Sequence, residues 1–313
     1  MMFKASRAQL KIDATAAAME LVGTVLFLLL GLGGIQAAAY SNTLTAKASQ
    51  NGSLSGPQAI NSVAGIDQLL YISCSMGFAL LTSAWLFFRV TGGVFNPQVA
   101  LALLLTGCIS PIRFSFYIVA QIVGSIIASA LLKAILPGPL FVNVALGPNV
   151  SAVQGLFIEA IGTAALVFAV LMLAAEKHKS TAIAPIGIGL TLFACHLFAV
   201  LFTGAALNSA RALGPAVFSG FPTIHWIYWV GPTLGSLFST ALYSALKQLK
   251  YQNLNPNQDS HYEQHSGSSV SETLKRFSIA SNTSLERPSF ASATVEVTRE
   301  TRTDSQIPPN AMV

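Results

Sequence analysis

Long apolar runs alternate with short polar breaks along most of this 313-residue chain. Runs long enough to cross a bilayer, about 20 residues, fall at 18–40, 66–88, 114–136, 153–175, 182–203 and 224–246. Two shorter apolar stretches, 96–107 and 208–219, are too short to span and read as re-entrant segments. The pattern predicts an all-α membrane protein with six transmembrane helices and two re-entrant half-helices. Residues 1–17 form a polar start, 18–247 the membrane part, and 248–313 a tail. Ser, Thr, Asn, Gln and scattered charges dominate that tail, so it is expected to stay disordered. The stretch 41–66 is rich in Ser, Asn, Gln and Gly and reads as a loop that needs no fixed structure.

The membrane part is doubled. Glu20-Leu-Val-Gly23-Thr24 recurs as Glu159-Ala-Ile-Gly162-Thr163, and Gly92-Gly93-Val94-Phe95-Asn96-Pro97 has a counterpart in Gly204-Ala205-Ala206-Leu207-Asn208-Ser209. Gln121-Ile-Val-Gly124-Ser125 likewise pairs with Gly231-Pro232-Thr-Leu-Gly235-Ser236. Each half, about 18–136 and 153–247, holds three crossings. An odd number forces the halves to insert with opposite orientation, and such repeats put functional sites at facing helix starts near the midplane. Gly23, Gly124 and Gly235 are candidates for close helix approach.

Composition agrees with a lipid solvent. Apolar residues make up 53% and charged residues 9% of the chain, against roughly a quarter charged in soluble domains. The net charge of +5 is informative through its distribution rather than as a nucleic-acid signal. Lys4, Arg7, Lys11, Arg89, Arg113, Lys177, Lys179, Lys247 and Lys250 fall in one set of alternate loops, and Lys47 and Arg211 in the other. Lys and Arg accumulate on the cytoplasmic side, so both termini are expected there, in a multi-pass protein of the plasma membrane. A charged start leads directly into a full span, and no cleavable signal peptide is evident. Cys74, Cys108 and Cys195 are odd in number and sit in or beside apolar spans, as small apolar filler. No metal-ligand spacing and no cofactor motif occurs.

The candidate chemistry lies at the half-helix starts. An Asn can cap a helix through its oxygen, and Pro97 suits the first helical position because it has no N–H to lose. With the oxygen held, each of Asn96 and Asn208 can turn its amide toward a passage and donate to a solute oxygen. Two helix N-termini meeting head to head bring two positive dipole ends together, which suits a neutral water and repels a cation. Glu20 and Glu159 are costly inside apolar spans and are expected to accept hydrogen bonds from backbone N–H groups of the re-entrant loops. His196 and Arg211 would add donors and positive potential if both face one constriction. Ser209 with His196 lacks an oxyanion site and an orienting acid, so no enzyme activity is expected.

These residues resemble the aquaporin, or major intrinsic protein, family over about 15–247, and Trp85-Leu-Phe-Phe-Arg89-Val-Thr-Gly-Gly is most similar to fungal members. The resemblance implies a homotetramer with one pore per subunit, and motifs Asn96-Pro97-Gln98 and Asn208-Ser209-Ala210 at the pore centre. It also implies a selectivity constriction at Met76, His196, Ala205 and Arg211. His196 with Arg211 is similar to the water-selective branch, and Ala212 stands where glycerol-conducting members have Asp. Three departures are present: Gln98 for the family's Ala, Ser209 for its Pro, and Met76 for an aromatic residue. Three readings follow: a water channel excluding ions and protons, a channel for hydrogen peroxide, glycerol or another small neutral solute, and a non-conducting membrane structural or signalling protein. Asn51-Gly-Ser53 and Asn149-Val-Ser151 match the glycosylation acceptor pattern, and Ser278 follows Lys275-Arg276-Phe277 as a candidate phosphorylation site. With Ala205 in place of the Cys that some members carry, mercurials are expected to leave flux through that site unchanged. A strong block relieved only by substituting residue 205, measured in vesicles, would contradict this.

Overall fold

A computed structural model describes residues 6–50 and 65–255, with side chains for all of these except 47–50. The tail beyond 255, with Ser278, and the Asn51 acceptor lie outside the described residues. Eight α-helices are present among the described residues: α1 Arg7–Gln50, α2 Ile66–Phe87, α3 Pro97–Leu105, α4 Pro111–Ile135, α5 Ala152–Val170, α6 Ala184–Thr203, α7 Ser209–Ser219 and α8 Ile227–Gln248. A π-helical turn, Leu171–Ala175, continues α5. The short α3 and α7 are the two half-helices.

Two elements differ from the sequence reading. Helix α1 has 44 residues, about 65 Å at 1.5 Å per residue, twice the hydrocarbon thickness. It begins at Arg7 and runs through 41–50, where a loop was expected. No Gly or Pro occurs between Gly34 and Gly52, and the polar residues Ser41, Asn42, Thr43 and Thr45 are compatible with helix. Asn42 Nδ2 donates to Gln68 Oε1 of α2 at 2.6 Å, which ties the extension down. The other difference is α8. Five helices among the described residues are long and apolar enough to cross a membrane; α8 is long enough but less apolar. Its buried face carries Gly231, Pro232, Gly235, Ser236, Ser239 and Thr240, chosen for closeness to α5 rather than for lipid.

Packing follows the repeat. α1 packs on α2 and α4 as α5 packs on α6 and α8, and α2 meets α6 between the halves. Each half-helix reaches the other half: α7 packs chiefly on α4, and α3 on α8 as well as on α4. The interior mixes an apolar core with small polar residues, Ser73, Gln121, Ser125, Thr163 and Ser236 being buried, while Phe78, Val119, Phe157, Ile161 and Phe238 face outward. The apolar exterior fits lipid as the outer solvent, where small polar residues mediate helix contacts. A Cβ at Gly23 would overlap the Phe95 ring, and one at Gly162 would overlap Leu207. The two glycines are equivalent positions of the repeat, and each makes room for a residue of a re-entrant loop.

Beyond the membrane spans, Glu176 ties the end of the π turn to α8. It accepts from Tyr243 Oη at 2.7 Å and from Lys247 Nζ at 2.9 and 3.0 Å. Burial pushes this carboxyl up, but the Lys247 and Tyr243 hydrogen bonds and the Lys247 charge outweigh it. The net effect holds it below the usual value near 4.5. A depressed folded-state pKa contributes stability that is present above the unfolded value and is lost as pH falls through the folded one. Glu176→Gln is therefore expected to lower the thermal midpoint at pH 7 by an amount matching about 0.2–1 kcal/mol, since the pair is partly solvated. The difference from the parent should shrink as pH drops below about 4.5, as read by differential scanning fluorimetry in detergent.

Candidate functional site

Asn96 and Asn208 cap α3 and α7 from extended backbone conformations. Asn96 Oδ1 accepts from Gln98 N at 2.9 Å; Asn208 Oδ1 accepts from Ala210 N at 2.9 Å and Arg211 N at 3.2 Å. Their amides then cross between the halves: Asn96 Nδ2 donates to the Leu207 carbonyl at 2.9 Å, and Asn208 Nδ2 to the Phe95 carbonyl at 2.8 Å. An amide NH2 has two donors, so one N–H of each braces the opposite loop and one is left over. Both Asn side chains line a narrow cavity of about 20 Å³. A water needs roughly 10–15 Å³ by this measure, so the cavity has room for about one water at a time.

The loops leading into these caps are strained and must be held. Phe95, Ala205 and Leu207 have φ of 48°, 48° and 52°, unusual for residues with side chains. Two buried carboxylates hold them. Glu20 Oε1 accepts from Phe95 N at 2.6 Å and Gln121 Nε2 at 2.9 Å. Glu159 accepts from Ala206 N at 2.9 Å, Leu207 N at 2.7 Å and Thr203 Oγ1 at 2.6 Å. Both side chains are fully buried.

Of the four constriction positions, Met76 and Arg211 line the cavity; His196 and Ala205 do not. All four are buried. Arg211 Nη1 donates to the Val142 carbonyl at 3.0 Å and Nη2 to the Gly204 carbonyl at 3.5 Å. His196 Nδ1 sits 3.0 Å from the Leu192 carbonyl. Arg211 Nε and His196 Nε2 are buried without a partner in the protein. Pro97, Gln98, Ser209 and Ala210 are buried but lie off the cavity wall. Gln98 turns from the lumen to Ser209, to which it donates through Nε2 at 2.7 Å.

The sequence reading named Met76 but passed over the rest of the apolar wall. Met76 and Leu80 on α2, Leu166 and Val170 on α5, and Ile188 and Leu192 on α6 all line the cavity. Each pair is spaced four apart, one face of a helix, and the α6 spacing continues to His196. That periodicity was the available signal.

The fold and this site define a multi-pass membrane protein of the inverted-repeat channel class. The major intrinsic protein family model matches residues 7–243. Aquaporin-1 of Laccaria bicolor is 55% identical over 247 residues, covering 79% of this chain and 75% of that protein. Aquaporin-7 of Botryotinia fuckeliana (strain B05.10) is 47% identical over 241 residues, covering 77% and 51%. The X-ray structure of the aquaglyceroporin from Plasmodium falciparum aligns with a TM-score of 0.60 at 18% identity, over 78% of this chain and all of that one; that likeness concerns the fold alone. The chain belongs to the major intrinsic protein family.

Each carboxylate supports one loop. Glu159→Ala leaves the Ala206 and Leu207 N–H groups without their acceptor, while the Thr203 hydroxyl keeps the Ala199 carbonyl; Glu20→Ala leaves the Phe95 N–H and the Gln121 amide. Each buried unpaired donor costs about 1–3 kcal/mol. Both variants should lose most monodisperse protein in detergent, as measured by fluorescence-detected size exclusion.

Proposed function

We propose that this protein is a passive water channel that excludes ions and protons, acting as a homotetramer in the plasma membrane with both termini cytoplasmic, and is not an enzyme. The observation that carries the reading is the convergence of Asn96, Asn208 and Arg211 on one narrow cavity. Two half-helix N-termini and a guanidinium supply positive potential from three directions, against which a bare cation gains nothing for its lost hydration. A water turns its oxygen to the free amide donors, so its own hydrogens point outward along the file. That orientation interrupts a proton relay. The other side chains of the lining, Leu80, Val94, Val99 and Leu166 among them, offer no hydrogen bonds, so few groups hold the water and it leaves readily.

A second reading, conduction of hydrogen peroxide or other small neutral solutes, is favoured by Met76 on the wall. Methionine is flexible and adapts its shape, and it stands where an aromatic ring is usual. In proteoliposomes, stopped-flow light scattering is expected to give water flux well above that of empty vesicles, with no proton or cation current. Flux equal to empty vesicles, with the tail intact and deleted, would remove the channel assignment. Met76→Phe should reduce any peroxide or glycerol uptake by several-fold and leave water flux within about twofold, consistent with small pocket changes of about 1 kcal/mol.

A further inference from the structure

The repeat supplies its own control for the two unusual motif residues. Position 97 is Pro and its equivalent, 209, is Ser; position 98 is Gln and its equivalent, 210, is Ala. Each half therefore departs from the other at a different place. In space the departures meet. Gln98 Nε2 donates to Ser209 Oγ at 2.7 Å, and Ser209 N donates back to Gln98 Oε1 at 3.0 Å. Ser209 Oγ passes its own hydrogen to the Tyr228 carbonyl at 2.9 Å, and Ser236 Oγ donates to the Gln98 carbonyl at 2.7 Å.

The chemistry explains why the two go together. The first residue of a helix has an N–H with no partner inside the helix. Pro97 starts α3 and has no such N–H. Ser209 starts α7 and has one, fully buried. The Gln98 side-chain oxygen, Oε1, is its acceptor, and the Ser209 hydroxyl is in turn the acceptor for the Gln98 side-chain amide. Neither residue is satisfied without the other. The pair adjoins both caps, because Gln98 N is the donor to Asn96 Oδ1 and Ser209 directly follows Asn208.

We propose that Gln98 and Ser209 are positioning residues that act as one unit: a reciprocal clamp that fixes the separation of the two half-helix starts, and with it the width between Asn96 and Asn208. The proposal rests on the channel reading, and the experiment has one arm that does not need conduction. The parent, Gln98→Ala, Ser209→Pro and the double variant are compared in detergent and in proteoliposomes. Gln98→Ala strands the Ser209 N–H. Ser209→Pro strands both ends of the Gln98 amide. The double variant has neither group.

Each single variant is expected to lower the thermal midpoint by roughly 3–10 °C, and the double to recover at least half of the larger loss. In vesicles the glycerol-to-water permeability ratio should rise at least about twofold in each single variant, a change of about 0.4 kcal/mol, and return in the double. Loss of folded protein alone scales both fluxes equally and leaves this ratio fixed. A double variant no better than the worse single, or singles that match the parent, would overturn the clamp. A recovered midpoint with an unchanged ratio would overturn its positioning role. A non-conducting parent with a recovered midpoint would sink the channel reading and the positioning role while leaving the reciprocal bonding in place.

Discussion

Backbone that leaves the helix at membrane depth must find its hydrogen bonds within the protein, since hydrocarbon offers none and each unpaired group costs several kcal/mol. The site depends on that constraint. Its two re-entrant loops carry non-glycine residues at positive φ, and each loop turns its N–H groups onto a buried carboxylate, Glu20 or Glu159. The carboxyl groups cost desolvation, which the converging donors offset in part. The carbonyls of Phe95 and Leu207 are taken up by the crossed asparagine amides. Around the site, Arg211 Nε, His196 Nε2, Glu20 Oε2 and Gln121 Oε1 have no partner in the protein, and one N–H of each asparagine is left over. In the proposed channel, a passage lined this sparsely with polar groups would bind a solute without trapping it.

Much of this architecture was legible because the informative residues are out of place in an apolar sequence. Two glutamates within spans, two asparagines ahead of short apolar runs and an arginine after the second stand out against lipid-compatible surroundings, and their spacing exposes the repeat. The ends of α1 were not legible. Its extension to Gln50 is held by a contact to α2, which no local propensity announces. Nor was the inner wall. In a soluble protein an apolar face points inward, but in a membrane Leu166 on the cavity and Ile161 on the outside are equally apolar. Hydrophobic contrast then no longer separates lumen from lipid. Gln98 was legible as unusual but not as partnered. Its acceptor and donor lie 111 residues away, and only the fold brings them together.

The inverted repeat makes the central backbone symmetric while the side chains are not. Phe95 and Leu207 are equivalent, and so are Val94 and Ala206, which both line the cavity. Arg211 has Val99 as its equivalent, and these two line it as well. One half thus contributes a fixed positive charge where the other contributes a methyl-covered surface. In the proposed channel, the symmetric part, two caps and two dipole ends, would set the orientation of whatever sits at the centre. The asymmetric part would set a charge barrier on one side of that centre alone. A neutral solute would meet the same two amides from either direction. A cation would meet Arg211 on one route and the paired helix starts on both. On that reading exclusion does not depend on the direction of approach, even though the charge that strengthens it belongs to only one half of the chain.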